Sequence, residues 1–316
     1  MDKLSIKAPV NSLTSAKMQI KSGANEIYLS YISDKIKNLS FSGRGKTSIN
    51  KVQTQMNYTD FCKIIELAHH NNVKVELAAN VPMSGDSPGG GHEFQNEYIE
   101  YIREAITAGI DGIIVGDLGN LILLNKVDIS THITASTFFG VQNLFHVLQL
   151  EKLNVDKVCL PHHFTFEEMK AICDKTSMDI EVFAHFGCSF IESTCSLYHH
   201  ASEKIDFGVP CRANFKIDGD DTCENILDMG EDCALCKLPE IIESGVKSIK
   251  MIGRELDYKL SSTITYVYSY AIQELTKGKN IHFILNELKN KIDFSFWDKS
   301  FCSIKRCKYN DFSYYI

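Results

Sequence analysis

Short apolar runs alternate along the chain with longer segments whose apolar residues recur every three or four positions. The runs predict strands near Leu4–Val10, Glu26–Ser30, Val73–Val81, Gly112–Gly116, Ile129–Ala135, Lys157–Leu160, Ile180–His185 and Ser248–Ile252. Between them, segments such as YTDFCKIIELAHH and EYIEYIREAITAG carry one apolar face at helical spacing. Four junctions repeat the same grammar: KSGANEIYLS, TAGIDGIIVG, EKLNVDKVCL and ESGVKSIKMI. Each ends a helix on Gly or Asn, which tolerate a left-handed cap, and then enters a strand.

Eight strands alternating with helices in 316 residues predict an α/β protein, a (β/α)8 TIM-like barrel. Residues 1–186 and 237–279 read as the barrel and 280–316 as a C-terminal helix and tail. Residues 187–236 read as an insertion after the seventh strand. It leaves from the C-terminal end of a strand, the face where barrel enzymes place their chemistry. A long loop in a compact domain needs a function or a staple of its own.

The insertion is rich in cysteine. Of eleven cysteines in the chain, Cys188, Cys195, Cys211, Cys223, Cys233 and Cys236 fall here, separated by 6, 15, 11, 9 and 2 residues. This is not the doubled C-x2-C of a zinc ribbon. Four scattered thiolates suit a [4Fe–4S] cluster, and they suit a four-thiolate zinc site almost as well. A second pair, Cys302 and Cys307 in CSIKRC, reads as buried thiols or as part of a further metal site.

The stretches KAPVNSLTSAKMQIKSGANEIYLS, GIDGIIVGDLGNL, HITAST, EVFAHFGCSFIESTC, VPCRANF and LPEIIESGVKSIKMIGRE together resemble the collagenase-like proteases, peptidase family U32. Several members of that family resemble oxygen-independent hydroxylases of the ubiquinone pathway or of transfer or ribosomal RNA. The resemblance implies a four-cysteine iron–sulfur cluster and prephenate as hydroxyl donor. Cys188, Cys195 and Cys211 match the family's ligand positions, and Cys223, Cys233 and Cys236 compete for the fourth. A thiol at a helix start is readily deprotonated, which favours the pair Cys233 and Cys236 just before LPE; Cys236 is chosen, with Cys233 as the alternative. Two departures stand out: six residues separate Glu181 from Cys188, one fewer than usual, and His162 and His163 replace an Arg-Glu pair.

Lys250 and Arg254 end the eighth strand, where an Arg can hold a carboxylate of prephenate through two parallel hydrogen bonds. A structural ion pair with Glu255 or Asp257 is the alternative. His185, beside the first ligand, is a candidate proton donor, and Glu181 is a candidate brace at the barrel floor. The candidate catalytic set is therefore His185, Lys250 and Arg254, and the candidate substrate-binding set is Asn80, Ser136, His163 and Arg254. Asp117 reads first as a helix cap. At most one of His162 and His163 faces the cavity if strand alternation continues. The Gly-rich stretches 40–45 and 84–92 read as lids over the mouth.

A net charge of −7 disfavours a broad grip on nucleic acid, and the short chain points to a small aromatic or specialised-metabolite acceptor. With no signal-like or membrane-length apolar run, the sequence predicts a cytoplasmic protein whose thiols stay reduced. No His-Glu-x-x-His or Gly-x-Ser-x-Gly motif supports the peptidase named by the family. A third reading is a non-catalytic, metal-stapled subunit that pairs with a partner of the same family.

Overall fold

The computed structural model describes residues 4–31, 33, 56–80, 92–127, 129–186, 215–216, 223–224, 232–254 and 256–309. Eight parallel strands close into one barrel: β1 (Ser5–Pro9), β2 (Glu26–Leu29), β3 (Lys74–Ala78), β4 (Gly112–Val115), β5 (His132–Ala135), β6 (Lys157–Cys159), β7 (Asp179–His185) and β10 (Ser248–Met251). Two short strands of the insertion, β8 (Phe215–Lys216) and β9 (Cys223–Glu224), pair antiparallel apart from it. Closure is direct: β1 pairs with β10 through Ser5–Ser248, Ile6–Ile249 and Lys7–Lys250. The expected eight-stranded barrel is therefore the architecture found.

Helices α1 (Leu13–Lys21), α2 (Tyr58–His70), α3 (His92–Ala108), α4 (Leu118–Lys126), α5 (Leu144–Lys152) and α6 (Phe166–Cys173) connect the strands. After the insertion come α7 (Leu238–Glu243), α8 (Tyr258–Thr276), α9 (Ile281–Lys291) and α10 (Phe294–Trp297). Their starts are written in the sequence. Ser12 and Thr165 make reciprocal capping boxes with Ser15 and Glu168, and Asn57, Asp117 and Asn143 accept from the backbone three residues on. Gly23 ends α1 at φ +97°, and a Cβ there would lie 2.1 Å from Ser269 Oγ on α8, so both the turn and the helix contact require glycine. Among the described residues no helix is long and apolar enough to cross a membrane.

Strand alternation divides the barrel wall. Ile6, Ile27, Val75, Ile113, Ile133, Val158, Val182 and Ile249 face outward into the core under the helices. On six of the eight strands an inward neighbour is charged. Lys7 Nζ lies 2.7 Å from both Glu76 and Glu181 and 3.5 Å from Glu26. Lys157 Nζ is 2.7 Å from Glu26 and 3.5 Å from Glu76, and Lys250 Nζ is 3.6 Å from Glu181. Thr134 donates to Glu76, Ser5 to Glu26 and Ser248 to Glu181. All six charged side chains are buried, three of each sign, so this network is neutral as a whole. The sequence's candidate floor brace, Glu181, belongs to this network.

Burial alone would push Lys7 down and the carboxylates up. Attraction overturns it: Lys7 is held well above its ordinary value, first by Glu181, then by Glu76 and Glu26. Glu76 and Glu181 are likewise held below the usual carboxylate range, chiefly by Lys7. Removing one charge strands its partners in low dielectric, so Lys7→Met is expected to cost about 3–5 kcal/mol in urea unfolding at pH 7. Because both carboxylates titrate lower folded than unfolded, their contribution is complete above about 4.3 and fades as pH falls through the folded values. Lys7 titrates higher folded, so its contribution is lost only in strong base. The gap between wild type and Lys7→Met should therefore narrow in acid; a gap unchanged at pH 3 would mean the network is not ionised.

Candidate functional site

At the C-terminal ends of the strands the charge network meets the barrel mouth. Tyr28, two residues beyond Glu26 on β2, turns its ring inward and donates its hydroxyl to the Met251 carbonyl at 3.0 Å. Two cations share that ring. Lys250 Nζ stands 4.9 Å from its centroid, and the Arg254 guanidinium carbon stands 5.3 Å from it. Arg254 donates to Ser30 Oγ at 3.4 Å, and its carbonyl accepts from Asn11 Nδ2 at 2.5 Å. Lys250 pairs with Glu181 from below rather than with Asp257, and Glu255 lies outside the described residues. Lys250 and Arg254 are thus brought together.

Across the mouth, Asn80 Nδ2 donates to Ser136 Oγ at 3.2 Å, joining the ends of β3 and β5. Asn80 Oδ1 is buried without a hydrogen-bond partner among the described residues, an acceptor left over at the rim. Ser136 also caps the turn Thr137–Phe139. Asp117 acts as the cap of α4, accepting from Asn120 backbone and side chain at 2.9 and 2.6 Å, and burial raises its carboxyl above the ordinary value.

The two histidines after β6 separate in the opposite sense to the sequence's choice. His163 is exposed and stacks on Phe164 at 4.4 Å. His162 is buried, stacked on Phe183 at 4.6 Å, and its Nδ1 lies 2.9 Å from Lys308 Nζ. Phe183 is two residues past Glu181 on β7, so it lines the interior face. The reversal has a local cause: β6 ends at Cys159, and a turn at His162–His163 breaks the alternation on which the choice of His163 rested. Burial and the Lys308 charge hold His162 well below the ordinary histidine value, so it is neutral and accepts from the lysine.

His185 does not join this group. A register shift between Lys250 and Met251 pairs Met251 with His185, and the imidazole packs outside the strand among Tyr268, Trp297, Phe301 and Phe186. Burial holds it well below its ordinary value, hence neutral. The Tyr268 hydroxyl donates to the Ala184 carbonyl at 2.6 Å and accepts from Ala234 N at 3.0 Å. His185 Nδ1, 3.3 Å from the same oxygen, must then be the donor, which leaves Nε2 a buried acceptor without a partner among the described residues.

The insertion is rooted beside it. Phe186 N donates to the Asp232 carbonyl at 2.7 Å and Ala234 N to Ala184 at 2.8 Å, so His185 and Cys233 face one another across an antiparallel bridge. Cys233 Sγ lies 3.7 Å from the Tyr268 hydroxyl, and burial pushes its thiol up to about 12. Cys236 is exposed three residues on. Cys188, Cys195, Cys211, the stretch 40–45 and nearly all of 84–92 lie outside the described residues; Cys223 is in β9. Sequence reasoning missed Tyr28, whose inward position follows from alternation with Glu26, and Lys308, for which no local signal exists.

The barrel is shared with known proteins. The solved structure of the U32 peptidase Mk0906 superposes with a TM-score of 0.52 at 14% identity, covering 79% of this chain and 92% of that one. A Methanocaldococcus jannaschii protein named as an uncharacterized protease is 26% identical over 98% of this chain and 75% of its own length. The 23S rRNA 5-hydroxycytidine C2501 synthase of Escherichia coli is 22% identical over 88% of the chain, which spans 40% of that protein's length. The tRNA hydroxylation protein P1 of Bacillus subtilis is 20% identical over 90% of the chain and 67% of its own length. Proteins of RNA hydroxylation are thus among its relatives. The sequence profile of peptidase family U32 matches residues 11–303, and the chain belongs to that family.

Proposed function

We propose that this chain is an iron–sulfur enzyme of the oxygen-independent hydroxylase type, which transfers a hydroxyl group from a carboxylate-bearing donor such as prephenate to an aromatic acceptor. The observation that carries the reading is the pair of cations, Lys250 and Arg254, standing on one Tyr28 ring at the barrel mouth. A planar guanidinium beside an ammonium suits a donor with two carboxylates. Asn80 Oδ1, an acceptor across the rim with no partner among the described residues, would take a donor hydroxyl.

The cluster's proposed ligands are Cys188, Cys195 and Cys211 with Cys233 as the fourth, in preference to Cys236. What supports the change is the bridge at the root of the insertion. Cys188 is two residues past Phe186, whose amide is bonded to Asp232, the neighbour of Cys233. The Leu235 amide also donates to Cys233 sulfur, which stabilises a thiolate there. When bound, such a cluster supplies one-electron transfer. The chain's own residues do the rest: Lys250 and Arg254 bind and orient the donor, and the closed interior below them excludes water. An aromatic small molecule suits the −7 charge as acceptor. A nucleobase is the second reading, favoured by the names of the E. coli and B. subtilis relatives.

Anaerobic purification should give about four irons and four sulfides per chain, with a broad visible band that bleaches on reduction. Absence of iron after anaerobic reconstitution overturns the hydroxylase reading and leaves a stapled subunit or hydrolase. Cys233→Ser should lose the cluster while Cys236→Ser keeps it. Arg254→Ala should lower kcat/KM for the donor about 10–100-fold, the ~1.5–3 kcal/mol of a hydrogen bond to a charged group, with iron content unchanged. An iron-loaded chain that hydroxylates only beside a same-family partner would identify it as a subunit.

A further inference from the structure

The ends of β3, β4 and β5 are tied together one step beyond the strands themselves. Ala79 N donates to the Ile114 carbonyl at 2.9 Å, and Ser136 N donates to the Val115 carbonyl at 2.8 Å. Asn80, Gly116 and Ser136 therefore stand side by side at the rim. Alternation turns all three toward the barrel interior, because they follow Ala78, Ile114 and Thr134 by two residues, and Thr134 donates to the interior Glu76.

Gly116 is there for space, since its φ is not in the left-handed region. A Cβ at Gly116 would lie 3.2 Å from Asn80 Oδ1 and 3.3 Å from Asn80 Cβ and Cγ. That Cβ would point into the barrel, so Asn80 Oδ1 sits on the interior side, in room that glycine leaves. Ser136 fixes the other end of the amide. Its Oγ accepts from Phe138 N at 3.4 Å and from Asn80 Nδ2 at 3.2 Å, so the turn Thr137–Phe139 holds the hydroxyl and the hydroxyl holds the amide nitrogen. Oδ1 is what the amide presents inward, and it has no partner among the described residues. A buried acceptor in that state carries a desolvation cost, which a ligand bringing a donor would recover.

An apolar wall leads from this acceptor to the cations. Tyr28, Ala78 and Ile114, on β2, β3 and β4, form a buried cluster of their own, apart from the core under the helices. The Tyr28 ring also carries Lys250 and Arg254. From β10 round to β5 the mouth is thus cationic, then apolar, then hydrogen-bond accepting.

We infer that Asn80 determines specificity at this mouth, with Gly116 and Ser136 as its positioning residues. Together they select a cyclic carboxylate with a ring hydroxyl remote from its acid groups over the same acid lacking that hydroxyl. The hydroxyl donates to Asn80 Oδ1, while Lys250 and Arg254 hold the acid end. The inference rests on the donor-binding role proposed above for that cation pair. An acid without the hydroxyl would desolvate Oδ1 and leave it unpaired, so rejection is part of the design.

The test is equilibrium dialysis of the full chain against prephenate and against its deoxy analogue, in which hydrogen replaces the ring hydroxyl. Wild type should bind prephenate about tenfold more tightly, the worth of one hydrogen bond to a buried acceptor. Asn80→Ala should bind both alike. Gly116→Ala, which crowds the amide, and Ser136→Ala, which releases it, should each shrink the preference. Arg254→Ala should weaken both ligands and keep it. A merely structural role would lower both affinities together and leave their ratio unchanged. Asn80→Leu, of similar size, repeats the measurement if Asn80→Ala misfolds. Equal wild-type affinities overturn the proposal, as does a preference that survives removal of Asn80, or binding of neither ligand. An iron-free chain that keeps the preference sinks the hydroxylase reading alone; an iron-loaded, hydroxylating chain without the preference sinks this inference alone.

Discussion

The ion network inside the barrel is the constraint from which the rest follows. Barrel interiors of this kind are usually filled by branched apolar side chains in layers. Here Lys7 sits between Glu76 and Glu181 at 2.7 Å from each, with Glu26, Lys157 and Lys250 completing a neutral set. A buried ion pair is weak evidence of stability in itself, since replacing it by matched apolar groups is often neutral or better. What it supplies is register. A one-residue slip of any of the six strands that carry these charges would turn its lysine or glutamate outward into the apolar shell and leave its partners uncompensated.

The same network explains why the mouth is electropositive while the chain is acidic. Glu181 is shared between Lys7 at 2.7 Å and Lys250 at 3.6 Å, so most of its charge is spent on the former. Lys250 therefore projects part of its field upward, onto the Tyr28 ring that also carries Arg254. Net charge of the whole chain, −7, misdescribes this local field, because the neutral network hides three cations and the surface carries the acidic excess.

Much of this was legible in the sequence, for a definite reason. Strands such as SIKAP, EIYL and SIKM alternate, and eight alternations separated by capped helices specify a barrel, so its strands fall within a few residues of the positions expected. Lys250 follows from the same periodicity, while Arg254 lies in the turn just past the end of β10. Legibility fails where periodicity stops. His162 and His163 lie in a turn past the end of β6, and alternation there assigns the inward role to the wrong one. His185 is displaced by a register shift that no single-sequence pattern announces. Lys308 reaches His162 from 146 residues away, a tertiary contact with no local cause.

His185 illustrates how a hydrogen-bond count can revise a chemical role. Beside a cysteine-rich insertion, an imidazole suggests a proton donor to sulfur. Yet one Tyr268 hydroxyl, with a single proton committed to Ala184, obliges Nδ1–H to face it and strips Nε2 of a proton. Protonating Nε2 would place a cation in an aromatic enclosure near Lys308, which burial and that charge both oppose. Neutral His185 can therefore accept at Nε2 but not donate there. A role for it beside the insertion requires a partner that brings its own proton, and a bare sulfide or thiolate does not.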